Sequence, residues 1–259
     1  MSEQKPETSS LPLVSLITVV FNGGGTIEKT IQSVIRQTYP RIEYIIIDGG
    51  SKDNTLNIIQ KYGSHIAFWL SEPDKGLYDA MNKGIEHAHG RYLWFINSGD
   101  LIHDDHTLSD ILEHPGPYPD IYYGDTVIID EEGRELGERR LRPPKVLDWK
   151  SFRMGMLVCH QSVLVSKEIA GKYNLIYKSS ADFDWVIRAL QKAGSITNTH
   201  LVLSRFLQGG MTKTRHSRAL KERFLIMKHY YGLVSTLFFH GCILVRALAQ
   251  VFHRKKSAV

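Results

Sequence analysis

The sequence predicts an α/β fold: a mainly parallel central sheet flanked by helices, a mixed second half and a C-terminal helical tail. Three observations carry that prediction. Between Val14 and Ile96, short apolar runs alternate with segments of helical period. The run "RYLWFI" (91–96) is apolar on both faces, as a central strand covered by helices on each side must be. Each strand ends in polar or glycine residues, and open α/β sheets bind ligands outside the carboxyl ends of their strands.

The elements follow in order. "VSLITVVF" (14–21) is a buried strand bounded by "NGGG", and "TIEKTIQSVIRQ" places Ile27, Ile31, Val34 and Ile35 at helical spacing. "EYIIIDGG" (43–50) is a second strand, and "DNTLNIIQKYG" a helix with Gly63 as its expected C-cap. "HIAFWLSEP" is a third strand, "LYDAMNKGIEHAHG" a helix with Leu77, Met81 and Ile85 on one face, and "RYLWFI" the fourth strand. In the second half, "DIYYGDTVIIDEEGRELGERR" reads as a hairpin turning at Glu132–Gly133. "CHQSVLV" reads as a strand, "DFDWVIRALQKAG" as a helix and "SITNTHLVLSRF" as a closing strand. The domain expectation is a disordered lead-in over 1–12, one domain over 13–215 with halves at 13–100 and 101–215, and a basic helical region over 216–259.

Composition bounds the function classes. The chain has 259 residues, 42% hydrophobic and 23% charged, which suits one α/β domain with an appendage. A net charge of +5 does not point to nucleic acid, and much of the excess sits in the last 50 residues. Two cysteines are too few for a disulfide framework, and "MSEQKPETSSLP" has no apolar signal core, so a cytoplasmic protein is expected.

The polar strand ends are Asn22, Asp48, Glu72–Asp74 and Asn97–Asp100. Asp48 has two available roles: accepting hydrogen bonds from a ribose hydroxyl or a base N–H, or capping Gly50 or Ser51. Its place at a strand end favours the first. A dinucleotide fingerprint fails, because Glu28 stands where the third glycine of G-x-G-x-x-G is needed. Asp79, Asn82, Lys83 and Glu86 share the polar face of their helix. Asp79 and Lys83, one turn apart, either pair beside a ligand or belong to a solvated face. A lone Asp100 suffices for a divalent cation, since Mg²⁺ takes one or two carboxylates and completes its shell with substrate phosphates and water. "HDDH" (103–106) fits a helix N-terminus better than a metal cluster. Asp182 opens a helix, where the macrodipole favours an acid with or without a function. Asp184 and Arg188, four apart, read as a structural pair, and His160 and Gln161 as neighbours on a strand.

Taken together, "VSLITVVFN", "TIEKTIQSVIRQTYPRIEYIIIDGGSKDNT", "EPDKGLYDAMNKGIEHAHGRYLWFINSGD", "YGD", "CHQ", "SADFDW" and "FLQGGMT" resemble the family 2 inverting glycosyltransferases of GT-A fold. The likeness is to bacterial members that build exopolysaccharide, O-antigen (lipopolysaccharide) or glycolipid sugars, and it spans about Val14 to Met211. The resemblance implies that Val19 and Phe21 line the nucleotide base and that Asp48 binds base or ribose. It implies Asp79 and Lys83 near ribose and diphosphate, with Asp74 at the mouth. It further implies Asp100 holding Mg²⁺ or Mn²⁺, Asp182 as general base, and His160 with Gln161 on the acceptor side. A nucleotide-sugar donor, most commonly a UDP-sugar, and a lipid-linked or glycan acceptor follow as partners. The family's D-x-D-D metal motif is here Asn97-Ser98-Gly99-Asp100, which puts strict metal dependence in question. "LQGGMTKTR" (207–215) is a candidate lid.

"YGLVSTLFFHGCILVRALAQVFHRKK" (231–256) is apolar but interrupted by His240, Arg246 and Gln250, unlike a clean span. An interfacial helix on the cytoplasmic face of the inner membrane is expected, with packing on the domain or in a dimer as the alternative. Two functional alternatives stay open: nucleotidyl transfer on the same type of fold, and a catalytically degenerate scaffold in a polysaccharide assembly complex.

Overall fold

Why the first strands are apolar on both faces is plain from how they are covered. The computed structural model describes the backbone of residues 11–114, 116–209 and 216–256, and the side chains of 11–114, 116–209 and 217–246. Strands β1 (Val14–Val20), β2 (Ile42–Asp48), β3 (Phe68–Ser71) and β4 (Tyr92–Phe95) pair in parallel in the order β3-β2-β1-β4. β1 sends Val14, Leu16 and Val20 into one core with Ile27, Ile31 and Val34 of α1 (Ile27–Ile35) and Ile58 and Ile59 of α2 (Thr55–Lys61). It sends Ile17 and Val19 into a second core with Met81 and Ile85 of α3 (Leu77–His87). Alternate residues of one strand thus serve opposite layers. α3 lies so close to β1 that a Cβ on Gly84 would stand 2.5 Å from Ile17 Cγ2.

The register aligns the strand ends: Val20 lies opposite Asp48, and Asp48 opposite Ser71. The polar residues therefore gather at one edge, as the topology argument requires.

The second half is mixed. It comprises β5 (Leu101–Ile102), α4 (Thr107–Leu112), β6 (Ile121–Ile129), β7 (Glu135–Glu138), β8 (Val163–Ser166), α5 (Lys167–Ala170), α6 (Ala181–Lys192) and β9 (Ile196–Leu207). β8 runs antiparallel to both β4 and β6, joining the halves into one sheet. β6 is parallel to β9, and β5 antiparallel to it. The β6–β7 hairpin turns where expected, with Gly133 at φ 88°.

Several expectations change. Gly63 is not a left-handed cap: α2 ends at Lys61, and Gly63–His65 forms a separate 3-10 turn. "CHQ" is not strand. His160–Ser162 is a 3-10 turn that leads into β8, because the chain must bend to reach β4. Asn82 leaves the solvated face and is buried. Asp104 accepts the His106 amide and Asp105 pairs with Arg36, so these acids organise the start of α4. Of the expected lead-in, Leu11 packs in the core and the Tyr39 hydroxyl donates to the Pro12 carbonyl. Residues 1–10 lie outside the described residues.

The tail is two helices, α7 (His216–Tyr231) and α8 (Leu233–Lys256), separated by Gly232 at φ 78°, which only glycine adopts without strain. Among the described residues no helix is long and apolar enough to cross a membrane. The proposed lid over 207–215 falls mostly outside the described residues.

Candidate active site

The loops after β1 and β2 hold each other. Asn22, at φ 49°, donates its backbone N–H to Ser51 Oγ (2.7 Å) and accepts from the Lys52 N–H through Oδ1 (2.9 Å). Asp48 is fully buried beneath this junction. Its Oδ2 accepts from the Gly50 N–H (3.1 Å), the Ser51 N–H (3.0 Å) and Ser71 Oγ (2.6 Å), and its Oδ1 accepts from Ser51 Oγ. Oδ2 accepts three of these bonds and Oδ1 one, so an acceptor site remains on Oδ1. The turn-capping role set aside above is the one Asp48 performs in this structure.

Val19 is likewise a core residue, 4% exposed, and belongs under the site rather than in it. Phe21 is the opposite, an aromatic ring 63% exposed at the loop. Gly49 brings it to Asp74: a Cβ there would stand 2.4 Å from Asp74 Oδ2 and 3.4 Å from Phe21 Cδ2. An exposed ring beside a carboxylate offers a stacking face and a hydrogen-bond acceptor to a flat polar ligand. Asp74 Oδ1 meanwhile accepts from the Gly76 N–H (2.7 Å), and Asp79 Oδ2 accepts from the Lys75 N–H (2.9 Å), so both acids shape the entry to α3. Lys83 is 4.0 Å from Asp79 but pairs more closely with Glu72, at 2.7 Å.

Asp100 is buried, and burial pushes its carboxyl up to about 7 against the lowering effect of two donors. Those donors are the Leu207 N–H (3.0 Å to Oδ1) and Gln161 Nε2 (2.6 Å to Oδ2). Gln161 therefore meets the expected metal acid. Asn97 Oδ1, in the same turn, is buried without a hydrogen-bond partner. Among the described residues there is no cluster of three or more His, Cys, Asp or Glu fit to hold a metal. One carboxylate and one unpartnered amide oxygen are nonetheless hard donors that fit a cation shared with a diphosphate.

On the facing side, Asp182 sits in the first turn of α6, and Tyr78 Oη of α3 donates to its Oδ1 at 2.9 Å. His160 Nε2 and Tyr173 Oη share a hydrogen bond of 2.6 Å, and the imidazole packs against Phe95 and Trp185. Burial lowers the His160 imidazole to about 4, so it is neutral at pH 7. Asn82 grips Tyr173 through both backbone groups, at 3.0 and 2.7 Å. Arg188 pairs with Asp184 at 2.8 Å as the spacing predicts. A cleft of about 250 Å³ opens beside Tyr78, between Asp79 of α3 and the 175–178 loop, with Lys75, Lys178 and Arg218 on its walls.

Sequence reasoning missed Tyr78, Tyr173, the Lys83–Glu72 pair and the Gln161–Asp100 bond. The signal for Tyr78 is its place in "LYDAMNKG", next to Asp79.

Residues 15–172 match the Glycosyl transferase family 2 model. The chain belongs to that family. It is a glycosyltransferase with an α/β fold of the GT-A kind. An uncharacterized glycosyltransferase of Mycobacterium tuberculosis is 34% identical over 221 residues, covering 82% of this chain and 81% of its own length. A PGL/p-HBAD biosynthesis glycosyltransferase of Mycobacterium bovis is 28% identical over 213 residues, covering 78% and 80%. Among solved structures, Staphylococcus aureus TarS with UDP-GlcNAc superposes with a TM-score of 0.64 at 16% identity, over 83% of this chain and 66% of that one. The mannosyltransferase PcManGT of Pyrobaculum calidifontis, with GDP-Man and Mn²⁺, gives 0.62 at 15% identity, over 99% and 82%. The family match ends ten residues before Asp182.

Proposed function

We propose that this family 2 enzyme is an inverting glycosyltransferase that moves a sugar from a nucleoside-diphosphate sugar to a hydroxyl of a lipid-linked glycan or polysaccharide precursor, in cell-surface polysaccharide or glycolipid biosynthesis. The observation that carries the reading is Asp182: half-buried, in the first turn of α6, with its Oδ1 held by the Tyr78 hydroxyl at 2.9 Å. UDP is the expected carrier as the commonest in the family, with GDP- and dTDP-sugars as alternatives; of the structures of the same fold, TarS carries UDP-GlcNAc and PcManGT carries GDP-Man.

The chemistry follows from named groups. Phe21, Asp74 and the 22–51 junction receive the nucleoside, with Asp48 holding the loop in shape. Asp79 lies in the first turn of α3 and Lys83 one turn further on, where ribose and diphosphate approach. The acceptor hydroxyl gives its proton to Asp182 as its oxygen bonds to the anomeric carbon, and the anomeric C–O bond breaks with its electron pair leaving on the diphosphate. In-line attack on the face opposite the leaving group inverts the anomeric centre. Asp100 and Asn97 Oδ1 would hold a Mg²⁺ or Mn²⁺ ion, which neutralises charge on the leaving diphosphate when bound. Gln161 and the Leu207 N–H keep the Asp100 carboxylate in place for it. His160, neutral and buried against Tyr173, stabilises the wall behind the acceptor.

A lipid-linked acceptor is supported by the tail. α8 turns an apolar face outward, and no Asp or Glu follows Glu222 in the sequence. Peripheral contact with the cytoplasmic face of the inner membrane fits both features.

The test is nucleotide release with the native acceptor, Mn²⁺ and a panel of UDP-, GDP- and dTDP-sugars. One donor should give nucleoside diphosphate and a product of inverted anomeric configuration, and Asp182→Asn should lower turnover by about a thousandfold or more. Pyrophosphate as the released product, or a retained configuration, would sink the reading.

A further inference from the structure

Tyr78 stands out among buried polar groups because its hydroxyl ends on the one carboxylate assigned to proton transfer. The ring is 5% exposed, and the hydroxyl reaches Asp182 Oδ1 at 2.9 Å across 104 residues of sequence. Burial and the adjacent Asp182 charge hold the phenol well above its ordinary range, so it is a donor at any pH near neutral.

The hydroxyl is aimed by packing that does not depend on Asp182. Tyr78 stacks on Tyr173 at 5.5 Å and 26°, and Tyr173 stacks on Trp185 at 5.0 Å and 16°. Asn82, one turn after Tyr78 on α3, locks the Tyr173 backbone. Trp185 lies three residues after Asp182 on α6, and its Nε1 donates to the Gly171 carbonyl at 2.9 Å. Three aromatic rings thus bridge α3, the 171–175 loop and α6, and set the distance between the phenol and the carboxylate.

We propose that Tyr78 is a positioning residue for the base: it pins Oδ1 of Asp182 and so presents Oδ2 to the acceptor hydroxyl. The inference rests on the reading of Asp182 as the base. A single-bonded carboxylate rotates about its Cβ–Cγ bond, and a donor on one oxygen removes that freedom at the moment of proton transfer. The same bond favours the ionised form, which is the form that accepts a proton. The other titratable or charged groups around Asp182 are Tyr173 and His160 on the aromatic wall, Arg139 after β7, and Arg223 of α7, which also acts on Tyr78. Burial keeps the His160 imidazole neutral at pH 7 and holds the Tyr173 phenol well above its ordinary range.

The experiment compares wild type, Tyr78→Phe and Asp182→Asn in full pH profiles of kcat and donor KM. Phe keeps the ring stack and removes only the oxygen. The expected result for Tyr78→Phe is a kcat about tenfold lower, the scale of one hydrogen bond to a charged group. Donor KM should be unchanged, and the acid limb of kcat should move to higher pH because the carboxylate has lost a donor. An unmoved acid limb and unchanged kcat in Tyr78→Phe, with Asp182→Asn inactive, overturns the positioning role alone. A raised donor KM at unchanged kcat also overturns it, assigning Tyr78 to the donor site. Full turnover by Asp182→Asn overturns the base reading itself, and the positioning role with it.

Discussion

At Asp100 one buried carboxyl ties three parts of the chain together: the turn after β4, the 3-10 turn at Gln161, and the end of β9 at Leu207. Its carboxyl titrates near 7 in the folded protein, against an ordinary value of 3.8. The folded state therefore holds the proton more tightly than the unfolded chain, and stability without metal falls as pH rises from about 4 to about 7. Cation binding needs the ionised form, so it strengthens over the same rise. Asp100→Asn should accordingly melt higher than wild type at pH 8 without metal, with the gain vanishing near pH 4. It should also lose the Mn²⁺-dependent tightening of nucleoside diphosphate binding in calorimetry. A variant that melts lower at pH 8, or keeps the Mn²⁺ effect, contradicts this account. Asp100 was legible in the sequence as a strand-end acid, but its partner was not. Gln161 lies 61 residues away, and no local pattern announces a buried amide-to-carboxylate bond. Asp48 carried the reverse difficulty. Its position is that of a ligand residue, while the adjacent Gly50 and Ser51, both visible in the sequence, are the donors it satisfies.

At the scale of the element, the first four strands and three helices were readable because their signals are local. β1 is apolar at both parities, and α1 and α3 each carry a stripe of period 3.6. The second half resisted for a physical reason. β5 has two residues, and β6 finds its partners β8 and β9 some forty and seventy residues away, so its pairing is decided by long-range closure. α3 deserves the element-scale test, since it delivers both Asp79 and Tyr78. Gly84 lets it rest against Ile17, with no space for a Cβ. Gly84→Val should push the helix off β1 and destabilise the protein by about 1–3 kcal/mol in chemical denaturation. The same shift should raise donor KM and lower kcat together, because both ends of the site ride on one helix. Wild-type stability and kinetics in this variant would mean that β1 and α3 yield more easily than close packing permits.

For the whole molecule, the question is what covers the outer face of α8. Thr236 is buried, and Phe239 packs on the catalytic unit beneath the Arg153 guanidinium (5.9 Å to the ring), which sets the helix's rotation. Val234, Leu237, Phe238, Leu244 and Val245 then point outward, from 56% to 83% exposed. Their spacing of three, four and seven keeps them on one side of the helix. The charge around them is one-sided: after Glu222 the sequence holds Arg223, Lys228, Arg246, Arg254, Lys255 and Lys256, and no acid. Apolar side chains flanked by unopposed cations match a bilayer with anionic headgroups better than a second copy of this basic chain, whose matching face would repel. The full chain should therefore sediment with phosphatidylglycerol vesicles and not with phosphatidylcholine vesicles, and high salt should weaken the association. Phe238→Glu should reduce partitioning about tenfold or more, since it replaces an exposed aromatic that would enter the bilayer with a charge that the anionic surface repels. Turnover of a water-soluble acceptor should stay at the wild-type rate, because Phe238 lies outside the catalytic cleft. Equal binding to both vesicle types, or a dimer in light scattering that the same substitution dissociates, would give this face to another occupant.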